Sequence, residues 1–262
     1  MAAYGRVGAE TIFGHDGVAA ACGYAVCART LARRELMNVY RSTFDATYKH
    51  PNFVLSLSSE LDVGAEWLLG FFESEVRRGI KFQAGQTVQV GWMLVKLVAD
   101  PSGDLEIWEP ILDAMPIEWI KGATSTFRHF TLQREACSQL GVEPEFPSLL
   151  QSGVVSARFL TDSGEFTMSR DDPMGSDSGW AFTRVHERDL GGRHHSLFEV
   201  GVFDRMIIPF LALPSGVLVR ASNEHIDLSL GSVVISSESN EFLRRLLDSS
   251  ESLWGDFDVL PD

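Results

Sequence analysis

Cysteine is scarce in this chain of 262 residues: Cys22, Cys27 and Cys137 are the whole complement. An odd count with no C-x-x-C pair argues against a disulfide framework or a thiolate zinc site. A reducing compartment, the cytoplasm, is therefore expected. Positive charge is short as well. Lys and Arg number 22 against 36 Asp and Glu, a formal net charge of −14. Phosphate backbones and anionic lipid surfaces are bound largely through cations, so neither nucleic acid nor membrane is an expected partner. Long apolar runs are missing too. The longest nearly uncharged early stretch, residues 17–28, falls short of the roughly 20 residues that span a bilayer. Arg6 is followed by Glu10 and Asp16 instead of the unbroken apolar core of a secretory signal.

The fingerprints of phosphate binding are absent: there is no G-x-x-x-x-G-K-[ST], and no G-x-G-x-x-G after a strand. Gly175-Ser176-Asp177-Ser178-Gly179 has the outline of a nucleophile elbow, but Asp177 occupies the position that the chemistry reserves for serine. His186, Glu187, Asp189, His194 and His195 are metal-ligand types lying close together. Their spacing fits no ordinary site, and adjacent histidines on a strand face opposite sides. No metal and no cofactor is expected. The acid pairs Glu73/Glu75 and Asp171/Asp172 read as a solvated helix face and a turn.

What is present is a globular composition, 45% hydrophobic, with an uneven acid excess. The first 150 residues carry thirteen cations and eighteen acids, whereas the remainder carries nine Arg, no Lys and eighteen acids. Such a field steers basic macromolecules, although solubility alone also explains it. Three parts are expected: an extension over 1–36, with Met37 as the biological start, an α+β domain over 37–147, and a second α+β domain over 148–262. Both domains are expected to carry mainly antiparallel sheets.

In the first domain, Val63, Trp67, Leu68, Phe71, Phe72 and Val76 predict an amphipathic helix over 62–78 that stops at Gly79. Strands are expected at 80–82, 87–98 and 105–108. A helix over 125–140 should stop at Gly141, and the prolines at 144 and 147 place the domain boundary near them. Beyond it, strands are expected at 153–159 and 165–168, across the turn Asp162-Ser163-Gly164, and again at 179–183 and 217–220. Residues 203–211 read as a short helix or an extended segment. A terminal helix over 238–247 should be capped by Ser237 or Ser239. Trp67, Trp92, Trp108, Trp119 and Trp180 fall on elements expected to be buried, and Trp254, near the acidic end, does not.

Val154-Val155-Ser156-Ala157-Arg158-Phe159, then Asp177-Ser178-Gly179-Trp180-Ala181-Phe182, then Ile207-Ile208-Pro209-Phe210 and Pro214-Ser215-Gly216-Val217 resemble in order the Imm33-type immunity domain, a family once grouped only as a domain of unknown function. The Asp-Ser-Gly-Trp block is the specific element. The Gly-Asp-Glu run that often follows that tryptophan is replaced here by residues 184–189. The resemblance implies a bacterial immunity protein that binds and blocks a toxin, needing neither catalysis nor cofactor. Asp177, Ser178, Gly179 and Trp180 are then expected to be structural, and His186, Glu187, Asp189, His194 and His195, in the stretch 185–196, to contact a protein partner. Two alternatives stay open: an interaction module with another partner, and a hydrolase whose site is assembled from dispersed residues such as His129, Arg134 and the His194/His195 pair.

Overall fold

A computed structural model describes residues 5–7, 36–113, 115–185 and 191–248. The fold is α+β and rests on two seven-stranded sheets. The first half contains β1 (Gly5–Val7), β2 (Met37–Arg41), α1 (Phe44–Tyr48), β3 (Phe53–Ser58), α2 (Asp62–Arg77), β4 (Thr87–Val90), β5 (Met93–Ala99), β6 (Leu105–Pro110), β7 (Trp119–Lys121) and α3 (Thr124–Leu140). The strands are ordered β1-β2-β3-β6-β5-β4, with β7 added on β6. Only the β3–β6 pairing is parallel. In the second half come β8 (Ser152–Ser156), β9 (Phe166–Arg170), β10 (Asp177–Arg184), β11 (Gly192–Ser196), α4 (Leu197–Phe203), a 3-10 turn (Arg205–Phe210), β12 (Val217–Ala221), β13 (Ile226–Leu230), β14 (Val233–Ser236) and α5 (Glu241–Asp248). Their order is β11-β8-β10-β9-β12-β13-β14.

Helix α2 buries Ala65, Leu68, Leu69, Phe72 and Val76, and Phe72 stacks on Phe53 of β3 with ring centroids 4.1 Å apart. Gly79, at φ 95°, follows its end. Helix α3 begins without a side-chain cap of its own. Glu109, the penultimate residue of β6, supplies one instead, its carboxylate accepting the backbone N–H groups of Ser125 (3.0 Å) and Thr126 (2.6 Å). A carboxylate there meets the orphan donors and the positive end of the helix dipole, and burial raises its pKa above the ordinary value. Gly141, at φ 66°, closes the other end.

Several local expectations are corrected. Residues 80–82 form no strand; Phe82 N–H donates instead to His50 Nε2. The run 87–98 is a hairpin, broken at Gly91, whose φ of 61° suits a tight turn. Strands β8 and β9 are not neighbours, because β10 inserts between them, parallel to β8 and antiparallel to β9. The turn over 162–164 therefore belongs to a crossover and not to a hairpin. Helix α5 is capped by Asn240, whose Oδ1 accepts the Leu243 N–H, in place of either serine. Trp67 is 46% exposed.

One apolar cluster runs through both halves, joining Trp92, Met93, Ala136, Cys137 and Leu149 to Trp180, Phe198 and Ile208. The polar seam within it is the segment 208–213. The residues that follow the 3-10 turn, 211–213, have carbonyls outside any helix or strand, and these take donors from elsewhere, as does Ile208 O in addition to the Leu211 N–H. Gln133 Nε2 donates to Ile208 O, Trp180 Nε1 to Leu211 O, Cys137 Sγ to Ala212 O and Arg170 Nη1 to Leu213 O. Helix α3 and the second sheet are tied through the same four residues, Ile208, Leu211, Ala212 and Leu213.

Candidate functional site

The Asp-Ser-Gly-Trp block opens β10 at an irregularity: Asp177 lies opposite Ser152 of β8 and Ala181 opposite Val154, so β10 holds extra residues in between. Gly179 makes this possible. Its φ is 80°, and a Cβ there would lie 2.0 Å from the Asp171 carbonyl oxygen. Asp177 Oδ1 accepts the Gly179 N–H, while Ser178 Oγ donates to Ser152 O and accepts the Trp180 N–H. Trp180 is fully buried. Beside it Arg170, itself buried, donates to Ser178 O (3.2 Å), Glu145 O (2.9 Å) and Leu213 O (2.6 Å), with its guanidinium 5.7 Å from the indole centroid. Every polar group of the block except the Asp177 Oδ2 side is thus engaged in holding backbone.

That remaining oxygen points to the sheet edge. Asp177 Oδ2 lies 3.6 Å from His194 Nδ1, and on the opposite face of β11 His195 Nδ1 lies 3.0 Å from Glu199 Oε2 of α4. Strand β11 pairs with β8 on one side and ends the sheet on the other. Next to it the turn over 148–151 and the loop over 171–176 are joined by Ser152 N–H donating to Ser176 O (2.8 Å). These segments expose Leu150 and Met174, at 60% and 81%. Leu150 and Met174 thus stand two and three residues before Ser152 and Asp177, and the two histidine–carboxylate pairs flank the open strand on its two faces. His186, Glu187 and Asp189 lie outside the described residues, as does Trp254. Leu150 and Met174 carry no sequence signal of exposure; Leu150 directly follows Leu149, which is buried, and Met174 follows Pro173 in a loop.

The dispersed residues of the hydrolase alternative do not meet in one cleft. His129 is buried in the core, where it accepts the Trp92 Nε1–H at 3.2 Å through Nδ1. Burial, with Arg205 and Arg128 adding to it, holds its pKa down to about 3. Arg134 lies on the outside of α3 over the Phe130 ring, 5.7 Å from its centroid. Among the described residues no cluster of His, Cys, Asp and Glu suited to a metal is formed.

The fold does assemble one trio invisible in sequence: Ser237 Oγ is 3.4 Å from His225 Nδ1, and His225 Nε2 is 2.9 Å from Asp227 Oδ1. Ser237 is buried and its Oγ already accepts the Ile226 N–H at 3.1 Å, so the trio fastens β13 to the segment after β14. Arg184, the last residue of β10 in the same sheet, is buried over Phe159 at 4.3 Å and paired with Asp204 at 3.2 Å; burial raises the Asp204 pKa despite that partner.

Cys137 is equally unsuited to chemistry, since burial pushes its thiol up to about 12. In the native protein its alkylation by iodoacetamide, followed by peptide mapping, is expected to be slower than in guanidinium by on the order of a hundredfold or more. Comparable labelling in both states would show that the thiol is accessible.

No family model, no curated protein and no solved structure matches this chain. No helix among the described residues is long and apolar enough to cross a membrane.

Proposed function

We propose that this chain is an immunity-type protein that binds a basic toxin protein and blocks it without catalysis. The observation that carries the reading is the open edge at β11. There Leu150 and Met174 stand exposed in the segments that lead into β8 and β10, and the His194–Asp177 and His195–Glu199 pairs flank the two faces of the edge strand, on the part of the chain with eighteen acids and nine arginines. Exposed apolar anchors ringed by polar pairs are how small protein interfaces concentrate their binding energy, and an acidic field accelerates encounter with a cationic partner. The resemblance of the Asp-Ser-Gly-Trp block and its flanking strands to the immunity domain supplies the kind of partner. No cofactor enters this role.

The test is capture of binding proteins from the native cell, followed by co-expression of each captured protein with this chain in a growth-rescue assay. Rescue is expected. Leu150→Ser with Met174→Ser should weaken toxin binding by about tenfold or more while the chain stays folded, because both side chains are at the surface. Binding to the captured toxin should also slow as salt is raised. If captured partners are not toxic, or none is neutralised, the protein is an interaction module of another kind. Full rescue by the double variant would move the interface away from β11.

A further inference from the structure

Strand β14 ends the second sheet, and among the described residues no strand pairs with its other side. Just past it, Ser237 N–H donates to Ile226 O (2.9 Å). The bonding direction alternates along an antiparallel strand, so Val233 and Ile235 turn their N–H and C=O toward β13, and Val234 turns both groups outward. Side chains alternate between the two faces. Ile235 packs against the core cluster, and Val234 lies opposite Ser229 on the other face of the sheet. Both valines are nonetheless bare, Val233 at 49% and Val234 at 65% exposure. Sheet edges are ordinarily guarded by charge, proline or a bulge, and β14 has none of these. No charged residue lies between Leu228 and Ser237. By contrast, the edge strand β4 exposes Thr87 and Gln89, and β11 exposes Arg193 and His194.

We infer that two copies of this chain pair through β14, antiparallel, about a two-fold axis at Val234. The strand itself selects a second copy as its partner: Ser232-Val233-Val234-Ile235-Ser236 reads almost the same in both directions. Laid antiparallel against itself about Val234, it sets Val234 opposite the partner's Val234, and the outward N–H and C=O groups of the two residues bond to each other. Val233 then faces the partner's Ile235, so each bare valine meets an apolar side chain. A two-fold contact requires such a self-complementary patch. A strand of unrelated sequence could meet the open N–H and C=O, but it would not match the order of side chains on both faces. The net charge of −14 on each copy opposes association at long range, and the uncharged run over 228–237 keeps like charges out of the contact itself. Strand β11 stands at the opposite end of the sheet and stays free in this dimer, so the inference does not rest on the reading of that edge.

Sedimentation velocity of the full chain tests the association. A monomer–dimer equilibrium is expected, and because a single short strand makes a small contact, its dissociation constant should fall between about ten and several hundred micromolar. Raising salt should tighten the dimer by screening the like net charges. Val234→Lys sets two ammonium groups opposite each other and should weaken dimerisation by about tenfold or more, with circular dichroism unchanged because position 234 is at the surface. Cross-linking tests the register, in a background of Cys22→Ser and Cys27→Ser with Cys137 buried. Under mild oxidation Val234→Cys is expected to form an intermolecular disulfide, since the Cα atoms of a bonded antiparallel pair lie about 5.5 Å apart. Ser229→Cys should not, because three strand spacings, roughly 14 Å, separate it from its copy. A chain that stays monomeric over this concentration range, a dimer that Val234→Lys leaves intact, or equal cross-linking at positions 229 and 234 overturns the inference.

Discussion

Gly179→Ala is expected to destabilise the protein by about 3 kcal/mol or more, as much as truncating a large buried side chain. Two costs add. An alanine at φ 80° is in the left-handed region, and its Cβ would sit 2.0 Å from the Asp171 carbonyl oxygen, which is backbone and cannot rotate away. Relief requires β10 to pull back from the 171–172 loop, and that movement breaks the Asp171 N–H bond to Gly179 O (2.9 Å) and lifts Trp180 from beneath Arg170. Gly164→Ala is the control: its φ of 117° carries the conformational cost, but nothing lies within 4 Å of the added carbon. Chemical denaturation read by tryptophan fluorescence distinguishes them. If both substitutions cost the same, the steric part of the argument is wrong.

Acidification is expected to weaken folding through His129. The folded-state pKa is about 3 and the unfolded value about 6.5, so between these pH values the unfolded chain binds a proton that the folded chain refuses. The contribution is intact above about pH 6.5 and is lost as pH falls toward 3. At full extent it is roughly 4–5 kcal/mol. Glu109 and Asp204 act in the opposite sense. Burial raises their pKa values, so their cost to folding is present at neutral pH and is relieved as they protonate. His129→Asn separates the terms, because its amide oxygen can still accept the Trp92 Nε1–H and does not titrate. The parent is expected to be the more stable at pH 7, and its advantage should shrink or reverse by pH 4. Parallel stability curves for the two proteins would refute the assignment to His129.

The helices were legible because periodicity and stop signals coincide: residues 62–78 before Gly79 and residues 125–140 before Gly141 match α2 and α3 within a residue. The sheet order was not. Local pattern identifies a strand but carries no information about its neighbour, so the insertion of β10 between β8 and β9 could not be read from the turn over 162–164. At the candidate site, the Asp-Ser-Gly-Trp block stood out in sequence because its residue types are unusual together. His194 and His195 stood out for the same reason, yet their carboxylate partners, Asp177 and Glu199, are chosen by strand register and by the start of α4.

By itself the sequence determined what depends on composition and on near neighbours in the chain: the α+β class, the acidic balance, where α2 and α3 stop, and the need for glycine at position 179 if a turn forms there. Tertiary structure alone decided which apolar residues remain uncovered. Val63, Trp67 and Phe71 are as hydrophobic as Leu68 and Phe72, and they differ only in that the sheet lies on the other side of the helix. It also decided what satisfies the buried polar groups. The carbonyls of 208–213 need donors once they leave water, and those donors come from α3, β9 and β10, far away in the chain but adjacent in the core.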